Sequence, residues 1–173
     1  MKKVLSSILL FFGGLTLSGC AQHYAAISDI PFADANFKRC VILQGKVYSK
    51  QITELKCDGL HISKIKELSN FPNLQHLDLA HNHLTKLDIS HNPKLELLSI
   101  ENNQLTKLNT KNNKKLRVLN VSFNHLTSLK VKNNKELTYL NYSGNHIKDV
   151  DIQNNPHLLE PYEKTYVING PSN

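Results

Sequence analysis

The sequence repeats itself every 21 residues, and that period limits the fold more than any other feature of the chain. Leu74, Leu95, Leu116, Leu137 and Leu158 stand 21 residues apart. The first four open units that read L-x-x-L-x-L-x-x-N-x-L-T-x-L-x-I-x-x-N, with substitutions at a few positions. A degenerate unit of 22 residues precedes them, carried by Ile52, Leu55, Cys57, Ile62 and Ile65, with Leu60 where later units have Asn. The L-x-L alternation is a strand signal with one buried face. One such strand cannot bury its leucines alone. Stacked coils can, with neighbouring strands about 4.8 Å apart, so five coils span roughly 24 Å. Asn82, Asn103, Asn124 and Asn145 form one row, and Asn92, Asn113, Asn134 and Asn155 a second. Each stands where the chain turns inward. There an amide side chain can satisfy backbone groups that would otherwise cost about 1–3 kcal/mol each. The Asn rows are therefore read as structural.

These residues resemble a leucine-rich repeat, and the resemblance covers Ile52 to Leu158. The short unit and its Leu-Thr-x-Leu stretch are most similar to the internalin-like bacterial subclass. The resemblance implies a solenoid with a parallel β-strand stack on one face and short strands or turns on the convex face. Some members of that subclass carry a cysteine at the third apolar position of every unit. Here only Cys57 does, so no cysteine ladder is expected. Solenoid ends need caps. Asp34 is placed to N-cap a helix in which Phe37, Cys40, Val41 and Gln44 follow at helical spacing before Gly45. This resembles the N-terminal cap of bacterial members.

The first twenty residues read as an address. Lys2 and Lys3 precede an apolar run from Val4 to Leu17, too short for the roughly 20 residues that span a bilayer. It ends in Leu17-Ser18-Gly19-Cys20, which resembles the bacterial lipobox. Lipidation of Cys20 and removal of residues 1–19 are expected, which lowers the formal charge from +7 to +5 by the loss of Lys2 and Lys3. Ala21, rather than Asp, follows the cysteine, and by the same resemblance favours the outer over the inner membrane. The expected layout is a signal peptide (1–19), a lipidated tether (20–33), an N-terminal cap (34–51), the repeats (52–158) and a C-terminal cap and tail (159–173), with Leu158 opening a further strand. Export places Cys40 and Cys57 in an oxidising compartment, and a disulfide joining cap to first coil is expected.

Composition narrows the function. At 40% apolar and 20% charged residues the chain is neither disordered nor a membrane bundle, and 173 residues exclude a multidomain enzyme. Export argues against a nucleic-acid partner despite the basic balance. No phosphate loop, G-x-S-x-G or H-E-x-x-H occurs, so neither catalysis nor a cofactor is expected. His61, His83, His125 and His146 form a row broken by Gln104, and stacked coils would hold them in line rather than converging on a metal. On the outward face of the strands, Leu97, Val118, Phe123 and Tyr139 are apolar where polar residues are the rule, and are the candidate contacts for an unknown protein ligand. The convex half of the four full units holds ten lysines against four acids, including Lys86, Lys107, Lys111 and Lys130. That flank is the alternative contact, for anionic glycolipid or cell-wall polymer.

Overall fold

The computed structural model describes residues 26–158 and the backbone of a final strand at 166–168. The signal segment and Cys20 lie outside the described residues. Helix α1 (Ala35–Ile42) leads into six three-residue strands: β1 (Glu54–Lys56), β2 (His76–Asp78), β3 (Leu97–Ser99), β4 (Val118–Asn120), β5 (Tyr139–Asn141) and β6 (Tyr166–Ile168). All six pair in parallel and in chain order. The middle residue of each full coil's strand and of β1, from Leu55 through Leu77, Leu98 and Leu119 to Leu140, faces the interior and is fully buried. Since the side-chain period of a strand is two, its flanking residues must face outward.

The convex half is built from turns and extended backbone, and among the described residues it carries no second strand ladder. The Asn rows explain its stability. In the first row Asn103 Nδ2 donates to the carbonyls of Leu79, Ile100 and Glu101 at 2.9–3.2 Å, while its Oδ1 accepts from Leu84 N–H at 3.0 Å. Asn82, Asn124 and Asn145 repeat this bridge to the preceding coil. In the second row Asn113 Nδ2 donates to Ile89 and Asn92 carbonyls, and Asn134 to Thr110 and Asn113 carbonyls. Each amide thus adds donors to the carbonyls of the turns and ties its coil to the preceding one.

The cap is stapled to the first coil. Asp34 Oδ1 accepts from Asn36 and Phe37 N–H, as an N-cap does, and its Oδ2 accepts from the N–H and hydroxyl of Ser63. Burial works to raise the Asp34 carboxyl, but the Ser63, Phe37 and Asn36 hydrogen bonds outweigh it and hold the group below its ordinary value. Phe37 lies edge-on to Phe71 at 6.4 Å and to Phe32 at 5.8 Å, sealing the core. Cys40 and Cys57 are joined, with Cα atoms 5.8 Å apart. The single cysteine at the third apolar position therefore ties cap to solenoid.

Two segments depart from the sequence expectation. Residues 26–33, placed in the tether, are packed: Ile27 and Ile30 are buried, and Ala26 bridges antiparallel to Tyr48. Three-residue spacing in a short 3-10 turn (Ile27–Asp29) puts both isoleucines on the cap. At the other end the expected strand after Leu158 would centre on residue 161. The strand that pairs with β5 is instead β6, with Tyr166 opposite Tyr139, a step of 27 residues. Residues 161 and 163 are Pro and Glu where the repeat has its two core-facing apolar residues, so the L-x-L signal does not continue past Leu158.

Candidate protein-binding face

The outer face of the sheet is laid out by strand register. Glu54, His76, Leu97, Val118 and Tyr139 align across β1 to β5 as one row. Leu97, Val118 and Tyr139 are half-buried, and the pairing makes them neighbours about 4.8 Å apart. Beside them the row becomes charged: Glu54 Oε1 lies 2.9 Å from Lys56 Nζ and 3.8 Å from His76 Nδ1. The Lys56 hydrogen bond is the main cause of the lowered Glu54 pKa.

The next rows are polar and internally braced. Asn120 Oδ1 accepts from the N–H and hydroxyl of Ser122, and Asn141 Oδ1 from those of Ser143. Asn120 Nδ2 donates to Glu101 Oε2 at 2.7 Å. These side chains bond to one another and to neighbouring backbone, so the apolar row is bordered by a braced polar surface. That is the anatomy of a contact patch, an apolar centre with a polar rim.

Phe123 is not part of that row. It lies five residues beyond Val118, past the end of β4, at most about 17 Å away along the strand direction. Its own row is a turn. Gly59, His81, Asn102, Phe123 and Gly144 occupy one repeat position, with φ between +51° and +66°. Left-handed backbone suits Gly and Asn, whereas a bulky residue there is strained by about 1–2 kcal/mol. Phe123 is nevertheless 56% exposed. Its ring covers Gly144 so closely that a β-carbon at 144 would stand 2.6 Å from Phe123 Cδ1. The four candidate contacts therefore form two places, a row of three on the strands and one aromatic at the rim. The two glycines at this repeat position were the sequence signal that Phe123 sits in a turn.

On the same rim His81 Nδ1 meets Asp58 Oδ1 at 2.8 Å, and this hydrogen bond is the main cause of the raised His81 pKa. The neighbouring histidine row stacks in two pairs. His61 lies over His83 with ring centres 5.4 Å apart, and His125 over His146 at 6.1 Å. The paired rings are near-parallel, and among the described residues no group of three or more His, Cys, Asp or Glu is placed to hold a metal.

The turn side carries the other candidate surface. A shallow groove of about 630 Å³ is lined by residues of three successive coils, among them Lys86, Lys107, Lys130, Asp88, Thr106 and Leu108. Hydrogen bonds from the Ser90 side chain and backbone hold the Asp88 carboxyl below its ordinary value, so it stays ionised among the lysines.

Models described as leucine-rich repeat match residues 73–95 and residues 112–129. Among solved structures, the functional domain of InlJ from Listeria monocytogenes, which includes a cysteine ladder, is similar at 29% identity and TM-score 0.73 over 78% of this chain and 32% of that one. The internalin inlF from Listeria monocytogenes is similar at 26% identity and TM-score 0.60, over 78% of this chain and 50% of that one. The chain thus spans a third to a half of the length of the structures it matches. No curated protein matches its sequence. Repeat, register and these likenesses agree: the fold is a leucine-rich-repeat solenoid with internalin-like neighbours.

Proposed function

We propose that the chain is a lipid-anchored leucine-rich-repeat protein of the bacterial envelope, whose sheet face is a binding module for a protein partner. The observation that carries the binding reading is the in-register apolar row Leu97, Val118 and Tyr139, bordered by self-bonded polar side chains. Three adjacent apolar residues on a rigid sheet lose little conformational freedom on docking, so their burial counts more fully toward affinity. Phe123 would add a second, rim contact. The anchor reading rests on Lys2-Lys3, the apolar run and Leu17-Ser18-Gly19-Cys20, with Ala21 favouring the outer membrane.

A photo-crosslinker placed at residue 118 of the protein in its own cells tests the binding. A discrete adduct is expected, lost on Tyr139→Ser and not obtained with the probe at Lys132 on the turn side. No adduct at 118, or one indifferent to Tyr139→Ser, would sink the reading. For the anchor, Cys20→Ser should leave the membrane fraction and lose the acyl mass.

A second reading follows from the groove bearing Lys86, Lys107 and Lys130, which suits anionic glycolipid or cell-wall polymer. Asp88 within it lowers its net charge, which puts this reading second. Binding that falls steeply with salt and is lost on Lys86→Gln with Lys107→Gln would support it.

A further inference from the structure

Six large apolar residues are exposed among those described, and four of them fall in one seven-residue stretch: Ile42, Leu43, Val47 and Tyr48. Leu43 is 72% and Val47 62% exposed. They lie at the end of the solenoid, where α1 stops and Gly45 reverses the chain at φ +64°. Their inward neighbours are already fixed: Phe37, Cys40 and Val41 fill the core, and Gln44 Nε2 donates to the Cys40 carbonyl. The cap thus needs Val41 for folding, but Ile42 and Leu43 point away from everything it packs against. The sheet face offers this patch no counterpart.

The segment that carries the patch is basic, with the acids Asp29 and Asp34 just before it and Asp34 engaged by α1 and Ser63. Residues 35–51 contain Lys38, Arg39, Lys46 and Lys50 and no Asp or Glu. All four basic residues are exposed. Apolar side chains interspersed with cations are the composition of an interfacial membrane contact, in which apolar groups enter the headgroup boundary while Lys and Arg are drawn to an anionic leaflet. Tyr48 suits the same depth, with an apolar ring and a polar tip.

The position of the chain end selects the occupant. Ile27 N–H donates to the Val47 carbonyl at 2.9 Å, and Ala26 bridges to Tyr48. Ala26 and Ile27 therefore lie beside the patch itself. Only residues 21–25 separate Cys20 from Ala26, a span of at most about 21 Å when fully extended. A lipid on Cys20 would hold this end of the solenoid within that distance of the bilayer.

We propose that the N-terminal cap docks on an anionic phospholipid surface through Ile42, Leu43, Val47 and Tyr48, with Lys46 and its basic neighbours on the headgroups. The proposal rests on the anchor reading for its local concentration, and supplies what a lipid tether alone does not: orientation. Docked by its cap, the solenoid projects its coils away from the bilayer and leaves the Leu97–Val118–Tyr139 row clear of lipid.

The chain has no Trp, so one introduced Trp reports its own surroundings. Leu43→Trp and, as a control at the rim, Phe123→Trp are each made in the lipidated full chain and reconstituted into vesicles of phosphatidylglycerol and phosphatidylethanolamine. The same substitutions are made in the Cys20→Ser chain. Fluorescence is read with brominated lipid as quencher. Quenching of at least twofold is expected for Leu43→Trp and none for Phe123→Trp. Val47→Ser with Tyr48→Ser should abolish it without changing the circular dichroism, and high salt or zwitterionic vesicles should weaken it in the Cys20→Ser chain. No quenching at position 43 in a chain whose mass shows acylation overturns the docking and leaves the anchor standing. Absence of acylation removes the anchor, and the Cys20→Ser chain then decides the docking alone. Equal quenching at 43 and 123, or loss of binding on Lys86→Gln with Lys107→Gln instead, overturns it in favour of the turn-side lysines. A dimer broken by Leu43→Ser overturns it in favour of a second copy of the chain.

Discussion

Thr110 occupies the row of Ile89 and Val131, yet it carries a hydroxyl into the core at 1% exposure. Its Oγ1 donates to Asn134 Oδ1 at 2.7 Å, with the Lys130 carbonyl at 3.2 Å. The equivalent oxygens of Asn92, Asn113 and Asn155 are buried without a partner. Thr110→Val keeps the shape and removes the donor. Orphaning a buried acceptor costs about 1–3 kcal/mol, and a methyl in place of the hydroxyl returns about 0.8 kcal/mol. The net expectation is a loss of about 1 kcal/mol, or roughly 3 °C in Tm for a chain of this size. Urea melts followed by far-ultraviolet circular dichroism measure it. The converse substitution sharpens the test. Val131→Thr sets a hydroxyl 24 residues before Asn155, the separation that joins Thr110 to Asn134. Val121→Thr makes the same change at another fully buried site, on the strand side of the core. Val131→Thr should therefore cost about 1 kcal/mol less than Val121→Thr, whose hydroxyl has no such acceptor waiting. A neutral Thr110→Val, or equal costs for the two Val→Thr changes, would refute the reasoning.

Asp34→Ala should destabilise by about 2 kcal/mol at pH 7, since it removes an N-cap and the link to Ser63. The Asp34 pKa is lowered on folding from about 3.8, so its contribution is complete above that value and lost as pH falls through the folded one. The gap between wild type and variant should be flat from pH 7 to about 5 and close in stronger acid; a gap that persists there would contradict the assignment. The Cys40–Cys57 bond closes a loop of 17 residues, so reduction should lower stability by about 3 kcal/mol, and identical urea midpoints with and without dithiothreitol would contradict this. Gly144→Ala should cost about 2 kcal/mol from left-handed backbone plus collision with the Phe123 ring. In a Phe123→Ser background only the backbone part should remain, and an unchanged cost would show that the ring is not the obstacle.

The repeat by itself determined most of this protein. A 21-residue period in leucine and asparagine admits one way to bury every leucine, so strand register, core rows and both Asn ladders were legible before any coordinate was known. The cap helix was legible too, because Asp34, the Phe37–Cys40–Val41 spacing and Gly45 are local signals. The tertiary structure decided what lies outside the period. Phe123 shares its repeat position with His81, Asn102 and Gly144, and its left-handed backbone is a state set by the turn and not by side-chain type. Residues 26–33 belong to the cap through Ile27, Ile30 and Phe32, three apolar residues whose irregular spacing forms no readable period. The last strand lies at Tyr166–Ile168 because Pro161 and Glu163 replace the two apolar residues the period calls for, while the edge of β5 still offered backbone partners. Ile42 and Leu43 differ from Val41 in nothing but direction, and direction follows from how α1 lies against the first coil. A period encodes neighbours along and between coils; which apolar residues remain for a partner is settled only once the ends are packed.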